Sequence, residues 1–195
     1  MRIDLNTRYT RTAIVLHWLV AALMILNVML AWTFDYLPDR YAQPVTDTHK
    51  SIGIIVLGLG LMRLLWRMGH KPPAFLRPMP PWQDRLAHIT HAALYVLILG
   101  LPLSGWIYDS AWKDAPSYPI HFFGLFDWPR IAWVAHQPAE LKEKLDSFFG
   151  STHHILGYCL YGLFVLHVAG ALKHQFRDKI PELQRMMLNP KDRQP

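Results

Sequence analysis

Apolar residues gather in four long runs with polar stretches between them. They span about 12–33 (TAIVLHWLVAALMILNVMLAWT), 51–69 (SIGIIVLGLGLMRLLWRMG), 88–108 (HITHAALYVLILGLPLSGWIY) and 152–173 (THHILGYCLYGLFVLHVAGALK). None carries a polar stripe of helical period, so none reads as the surface helix of a soluble bundle. Each is near the ~20 residues that take an α-helix across a bilayer. The pattern predicts an all-α integral membrane four-helix bundle, with residues 1–195 forming a single membrane domain. The first run is expected to be a retained span: it exceeds a signal-peptide core, holds His17, and no small-residue cleavage site follows. Between the runs lie a short loop at about 34–48, a proline-rich extended stretch at about 70–86 and a long loop at about 109–151. The long loop opens with aromatic residues suited to a membrane interface (SYPIHFFGLFDWPRIAW). It then takes helical spacing from Pro138 onward, extending the fourth span outward.

Composition sharpens this picture. Hydrophobic residues make up 52% and charged residues 17%, and the modest mean hydropathy of +0.11 hides the segregation into runs. The net charge of +6 is unevenly placed. With the N-terminus inside, 14 of the 20 Lys and Arg fall at the inner side, Arg2, Arg77, Lys191 and Arg193 among them. Only Arg40, Lys50, Lys113, Arg130, Lys142 and Lys144 fall outside. This is the positive-inside bias, and it predicts that both termini are cytoplasmic. The basic charge is thus a topology signal, and no nucleic-acid partner is expected. The single cysteine, Cys159, excludes an internal disulfide, and without a C-x-x-C-H motif no haem can be attached through one.

The chemistry lies in the histidines. His153 and His167 stand 14 residues apart on the fourth run, on nearly the same helix face and roughly 21 Å apart along the axis. His17 sits near the inner end of the first span, matching His167 in depth. His49 sits at the outer entrance of the second, matching His153. Two facing imidazoles at each of two depths suit haem irons held on both axial faces. Zinc would want three or four ligands at one point. His154 lies about 100° round the helix from His153 and lacks the relation to His167. Arg63 follows His49 by 14 residues on the same face, at the inner depth, and Arg67 is one turn further. Haem propionates would suit a guanidinium there, with interfacial snorkelling the alternative. His88 and His91 open the third run near the inner side; His91 is a candidate haem-edge contact, and either could compete as partner of His17. Gly53, Gly58, Gly60, Gly157, Gly162 and Gly170 would admit either a porphyrin or a close helix neighbour.

These residues resemble the prokaryotic diheme cytochrome b-561 family of the bacterial inner membrane. The likeness rests on LHW at 16–18, HKSIGI at 49–54, R-x-x-W-R at 63–67, H-x-x-L-Y at 91–95, FGLFD at 123–127, and the closing H-x13-H with ALKHQF at 171–176. It implies two non-covalent b haems per chain, with ligands corresponding to His17, His49, His153 and His167. It also implies exchange with membrane quinone, ubiquinone being the expected acceptor or donor. Lys173 and His174 are then candidates for the quinone end. Some members resemble superoxide-to-quinone oxidoreductases, so a periplasmic donor such as superoxide is expected. Two other roles stay open: a haem-relay subunit serving a dehydrogenase or hydrogenase partner, and a histidine-based proton or solute transporter. Against the transporter, the spans lack acidic residues and discontinuous-helix signals.

Overall fold

The computed structural model describes residues 8–74 and 79–188, so Arg2, Arg77, Lys191 and Arg193, counted above at the inner side, lie outside the described residues. The order is α1 (Arg11–Ala31), α2 (Asp39–Gly69), α3 (Pro81–Ala111), a hairpin of β1 (Ile120–Phe122) and β2 (Phe126–Trp128), α4 (Ala132–Ala135), α5 (Ala139–Leu172) and α6 (Glu182–Arg185). Helices α1, α2, α3 and α5 are long and apolar enough to cross a membrane. Their outward faces are apolar as well: Leu65 is 66% exposed and Ile89, Val96 and Val165 are each 65% exposed. Such a surface is a liability in water but is at home against lipid. The buried core is thin, with Ile14, Leu16 and Val20 of α1, Ile52 and Val56 of α2, Leu97 of α3 and Leu160 of α5.

Helix starts follow local chemistry. The Thr10 hydroxyl caps α1 by accepting from the Ala13 N–H at 3.3 Å. A proline with extended backbone precedes each of α2, α3 and α5. Two of these helices begin earlier than the apolar runs imply. α2 starts at residue 39 rather than after a loop ending at 48, and α3 starts at residue 81 rather than 88. The early turns are polar and are held locally, for example by Gln43 donating to the Asp47 carboxylate at 3.1 Å and Thr48 to the Pro44 carbonyl at 2.8 Å. Hydrophobicity therefore marks the part of each helix within hydrocarbon, not its full length.

α1 packs along α2, α2 along α3, and α3 along α5. Gly60 permits the α2–α3 approach, since a Cβ there would lie 2.6 Å from Ile98 Cγ2. α1 and α5 are bridged by side chains, including Trp32 Nε1 donating to the Tyr161 hydroxyl at 3.0 Å. α1 begins and α5 finishes at one end of the bundle, the inner end. There the chain after α5 turns back onto α1, where Arg8 donates to the Met187 carbonyl and Trp18 Nε1 to the Met186 carbonyl, both at 2.6 Å.

The opposite, outer end is closed by the hairpin, which alternation alone did not predict. Its turn has positive φ at Phe123 (49°) and Gly124 (71°), with Leu125 N–H donating to Phe122 O at 2.9 Å. That backbone matches the twist of paired strands, and the glycine accepts it without strain. Ser51, with 0% exposure, fastens the hairpin to α2. Its Oγ accepts from the Phe123 N–H at 3.0 Å and lies 2.7 Å from Asp47 O and 3.3 Å from His121 O. Beside it, the Asp109 carboxylate receives Lys50 Nζ at 2.6 Å and Arg130 Nε at 2.8 Å.

Candidate metal centres

Helices α2 and α5 bring His49 and His153 together in the outer half of the bundle, with ring centres 6.3 Å apart and ring planes at 79°. Each ring is held by its Nδ1. His49 Nδ1 lies 3.1 Å from the Asn27 carbonyl oxygen, and His153 Nδ1 lies 3.0 Å from that of Leu101. A carbonyl only accepts, so Nδ1 carries the proton in both rings and each Nε2 keeps its lone pair for a metal. The seat for His153 is written into the third span as L-P-L-S-G, residues 101–105. Pro102 lies inside α3 and removes one rung of its hydrogen-bond ladder. Ser104 Oγ stands 3.2 Å from His153 Nδ1. Gly105 lets the ring lie against the helix backbone, where a Cβ would be 3.0 Å from His153 Cε1 and 3.2 Å from Nδ1. Phe34 meets the His49 ring edge-on at 5.3 Å. These supporting groups escaped the sequence reading. Asn27, and the proline and glycine inside an apolar run, were the visible signs of them.

In the inner half, α1 and α5 bring His17 and His167 together with ring centres 6.1 Å apart. Neither ring makes a hydrogen bond to the described residues. His91 of α3 also lies beside His167, with ring centres 5.3 Å apart. His88 instead turns to its own helix, its Nδ1 2.8 Å from the Asp84 carbonyl. His154 is exposed and lies outside both pairs, its ring 6.3 Å from that of His153.

Arg63 lies within electrostatic reach of His17, His91 and His167 and packs on the Tyr95 ring at 5.6 Å. Its Nη1 is buried and has no hydrogen-bond partner among the described residues. Arg67 is exposed one turn further along. Lys173 and His174 sit where the last turn of α5 widens, with Asp178 N–H reaching back to Lys173 O at 3.1 Å. Both are committed to one carboxylate. Lys173 Nζ is 2.7 Å and His174 Nδ1 is 2.8 Å from Asp178 Oδ2, and Lys173 also donates to Gln83 Oε1 at 3.2 Å. The hydrogen bonds from Lys173 and His174 hold the Asp178 carboxyl below its ordinary range.

The donor set fits a flat metal macrocycle. Two imidazole–metal bonds of about 2.0 Å, plus about 1.1 Å from each donor nitrogen to its ring centre, span about 6.2 Å across one ion. Both pairs have that separation. Among the described residues no three His, Cys, Asp or Glu side chains cluster as an ordinary ion site would need. The half-buried Gly157 and Gly170 on α5 leave space, a Cβ at either meeting nothing within 4 Å, whereas Gly60 serves helix packing. The unpaired Arg63 nitrogen is a ready donor for a carboxylate carried by the group.

Residues 8–189 match the family described as prokaryotic cytochrome b561. Cytochrome b561 homolog 2 of Escherichia coli (strain K12) is 33% identical over 183 residues, 92% of this chain and 91% of that protein. Cytochrome b561 homolog 1 of the same organism is 23% identical over 92% of this chain and 97% of its own length. The probable superoxide oxidase CybB of Yersinia pestis is 27% identical over 97% of this chain and 99% of that protein. With four membrane-length helices and a family match over nearly its whole length, the chain belongs to the prokaryotic cytochrome b561 family, multi-pass electron-transfer cytochromes of the bacterial inner membrane that bind b-type haem.

Proposed function

We propose that this cytochrome carries electrons across the inner membrane by way of two b haems, between a periplasmic donor and membrane quinone. His17 and His167 would hold one haem, and His49 and His153 the other. The observation that carries this reading is the pair of opposed imidazoles at each of two levels, 6.1 Å and 6.3 Å between ring centres, with α5 contributing to both. Bound haem supplies one-electron chemistry, its iron alternating between ferric and ferrous. Held by a pair of histidines at each level, such haems would relay electrons rather than activate oxygen. The Asn27 and Leu101 carbonyls fix the ring orientation of the outer ligands. Arg63 would neutralise an inner propionate through a charge-assisted fork, with His91 against the same haem edge and Arg67 nearer the headgroups.

The positive-inside bias supports an orientation with both termini cytoplasmic and the hairpin periplasmic. Quinone exchange would then occur near Lys173 and His174, whose shared carboxylate Asp178 links two proton carriers at the inner end. The name of the Yersinia relative supports superoxide as the donor, each superoxide giving one electron and leaving as dioxygen. Two such electrons and two protons convert one quinone to quinol.

Single substitutions of the ligands test the pairing. His17→Ala and His167→Ala should each remove the same haem, and His49→Ala and His153→Ala the other. The expected content is about one haem per chain in all four variants, falling in two spectral classes. Four variants with unchanged haem content would overturn the assignment.

A further inference from the structure

The two histidine pairs are not equivalent in what surrounds them. Resting on the two-haem reading above, we infer that the outer pair holds its haem at the lower reduction potential, so that an electron received at the outer face runs downhill to the inner haem. Two independent features of the fold point the same way.

The first is the far side of the ligand rings. His49 and His153 each give their Nδ1 proton to a backbone carbonyl, at 3.1 Å and 3.0 Å. Such a bond makes the imidazole a more basic ligand and stabilises the more positive, ferric iron. Hydrogen bonding of this kind is one of the levers by which a protein sets haem potential. Among the described residues, His17 and His167 have no such acceptor.

The second is charge. At the outer end, Lys50 and Arg130 share one buried carboxylate, that of Asp109, which leaves a single positive charge over. Asp47, 6% exposed and two residues from His49, adds a negative charge. At the inner end, Arg63 is a cation whose buried Nη1 has no hydrogen-bond partner among the described residues, within electrostatic reach of both His17 and His167. Arg67 adds a second cation on the same helix. A positive charge in a low-dielectric interior favours the iron that has gained an electron. Pairing Arg63 with a propionate acts in the same sense, since it cancels a negative charge on that haem. The outer haem is therefore the harder to reduce and the inner haem the easier. Gly105 is a positioning residue in this scheme, because a Cβ there would lie 3.0 Å from His153 Cε1 and press the ring away from the Leu101 carbonyl.

The order can be read without activity. The two-haem protein is placed in right-side-out vesicles and titrated redox-potentiometrically. Electron paramagnetic resonance follows each ferric haem, and a membrane-impermeant dysprosium chelate outside marks the outer one by faster relaxation. The chelate-sensitive signal should be the last to disappear as the potential is lowered. If it disappears first, or together with the other, the inference is overturned. Gly105→Ala supplies a second reading in detergent. It should move the lower wave upward and narrow the gap between the two waves, leaving the upper wave in place. An unchanged gap, or movement of the upper wave alone, contradicts the inference. If Gly105→Ala sheds the outer haem, the chelate experiment on the unaltered protein decides. Fewer than two haems per chain in the unaltered protein would instead defeat the two-haem reading itself, and the two failures stay distinct.

Discussion

A guanidinium inside a membrane helix needs an anion, and Arg63 has a buried nitrogen with no acceptor among the described residues. The haem reading supplies one. Loss of a hydrogen bond to a charged group is worth about 1.5–3 kcal/mol, roughly tenfold or more in affinity. Arg63→Leu should thus release one of the two haems to a scavenger on the order of tenfold faster, and Arg63→Lys should fall between, keeping the charge but not the fork. A second residue-scale consequence concerns pH. The folded Asp178 carboxyl lies below its ordinary value of 3.8 because Lys173 and His174 donate to it. Its contribution to stability is therefore fully present above that value and is lost as pH falls through the depressed one. The thermal midpoint of the unaltered protein should exceed that of Asp178→Asn near neutral pH, and the gap should close in acid below about pH 4. A gap that persists in acid would contradict the pairing. At this scale the pairing of His17 with His167 and of His49 with His153 was legible, because a 14-residue spacing on one helix fixes both face and depth. The carbonyl seats were not. A backbone oxygen has no letter in the sequence, and the Asn27 and Leu101 acceptors exist only once α1 lies beside α2 and α3 beside α5.

At the scale of elements, the four spans were legible from hydrophobic length alone. Their ends were not, because the outer turns of α2 and the inner turns of α3 are polar and look like loop. Nor was the hairpin, whose stability rests on a long-range contact: the Ser51 hydroxyl lies 72 positions from the Phe123 N–H that it accepts. Glycines with the same look in sequence divide by what they face. A Cβ at Gly60 would lie 2.6 Å from Ile98 Cγ2, whereas at the exposed Gly58 it would meet nothing within 4 Å. Gly60→Ala should destabilise the bundle by about 1–3 kcal/mol through overpacking between α2 and α3. Gly58→Ala should be neutral or slightly stabilising, through its helix propensity. Thermal unfolding in one detergent compares them directly, and equal midpoints would contradict the close α2–α3 approach.

At the scale of the molecule, the helices pack side by side from α1 to α2, α3 and α5, while α1 and α5 meet through side chains. That arrangement leaves room between them for the histidine pairs to face one another. The apolar exterior turns to lipid, the hairpin covers one end, and the segment after α5 folds over the other. Family membership makes this a membrane haem cytochrome. The claim that goes further is the number of haems, and with it a path spanning the membrane. The most direct measurement is the dithionite-reduced minus oxidised spectrum of the detergent-purified protein, with extracted haem counted against chain. The histidine geometry predicts b-type bands and about two haems per chain. One haem per chain would show that one of the two pairs holds no iron, and would contradict the transmembrane path.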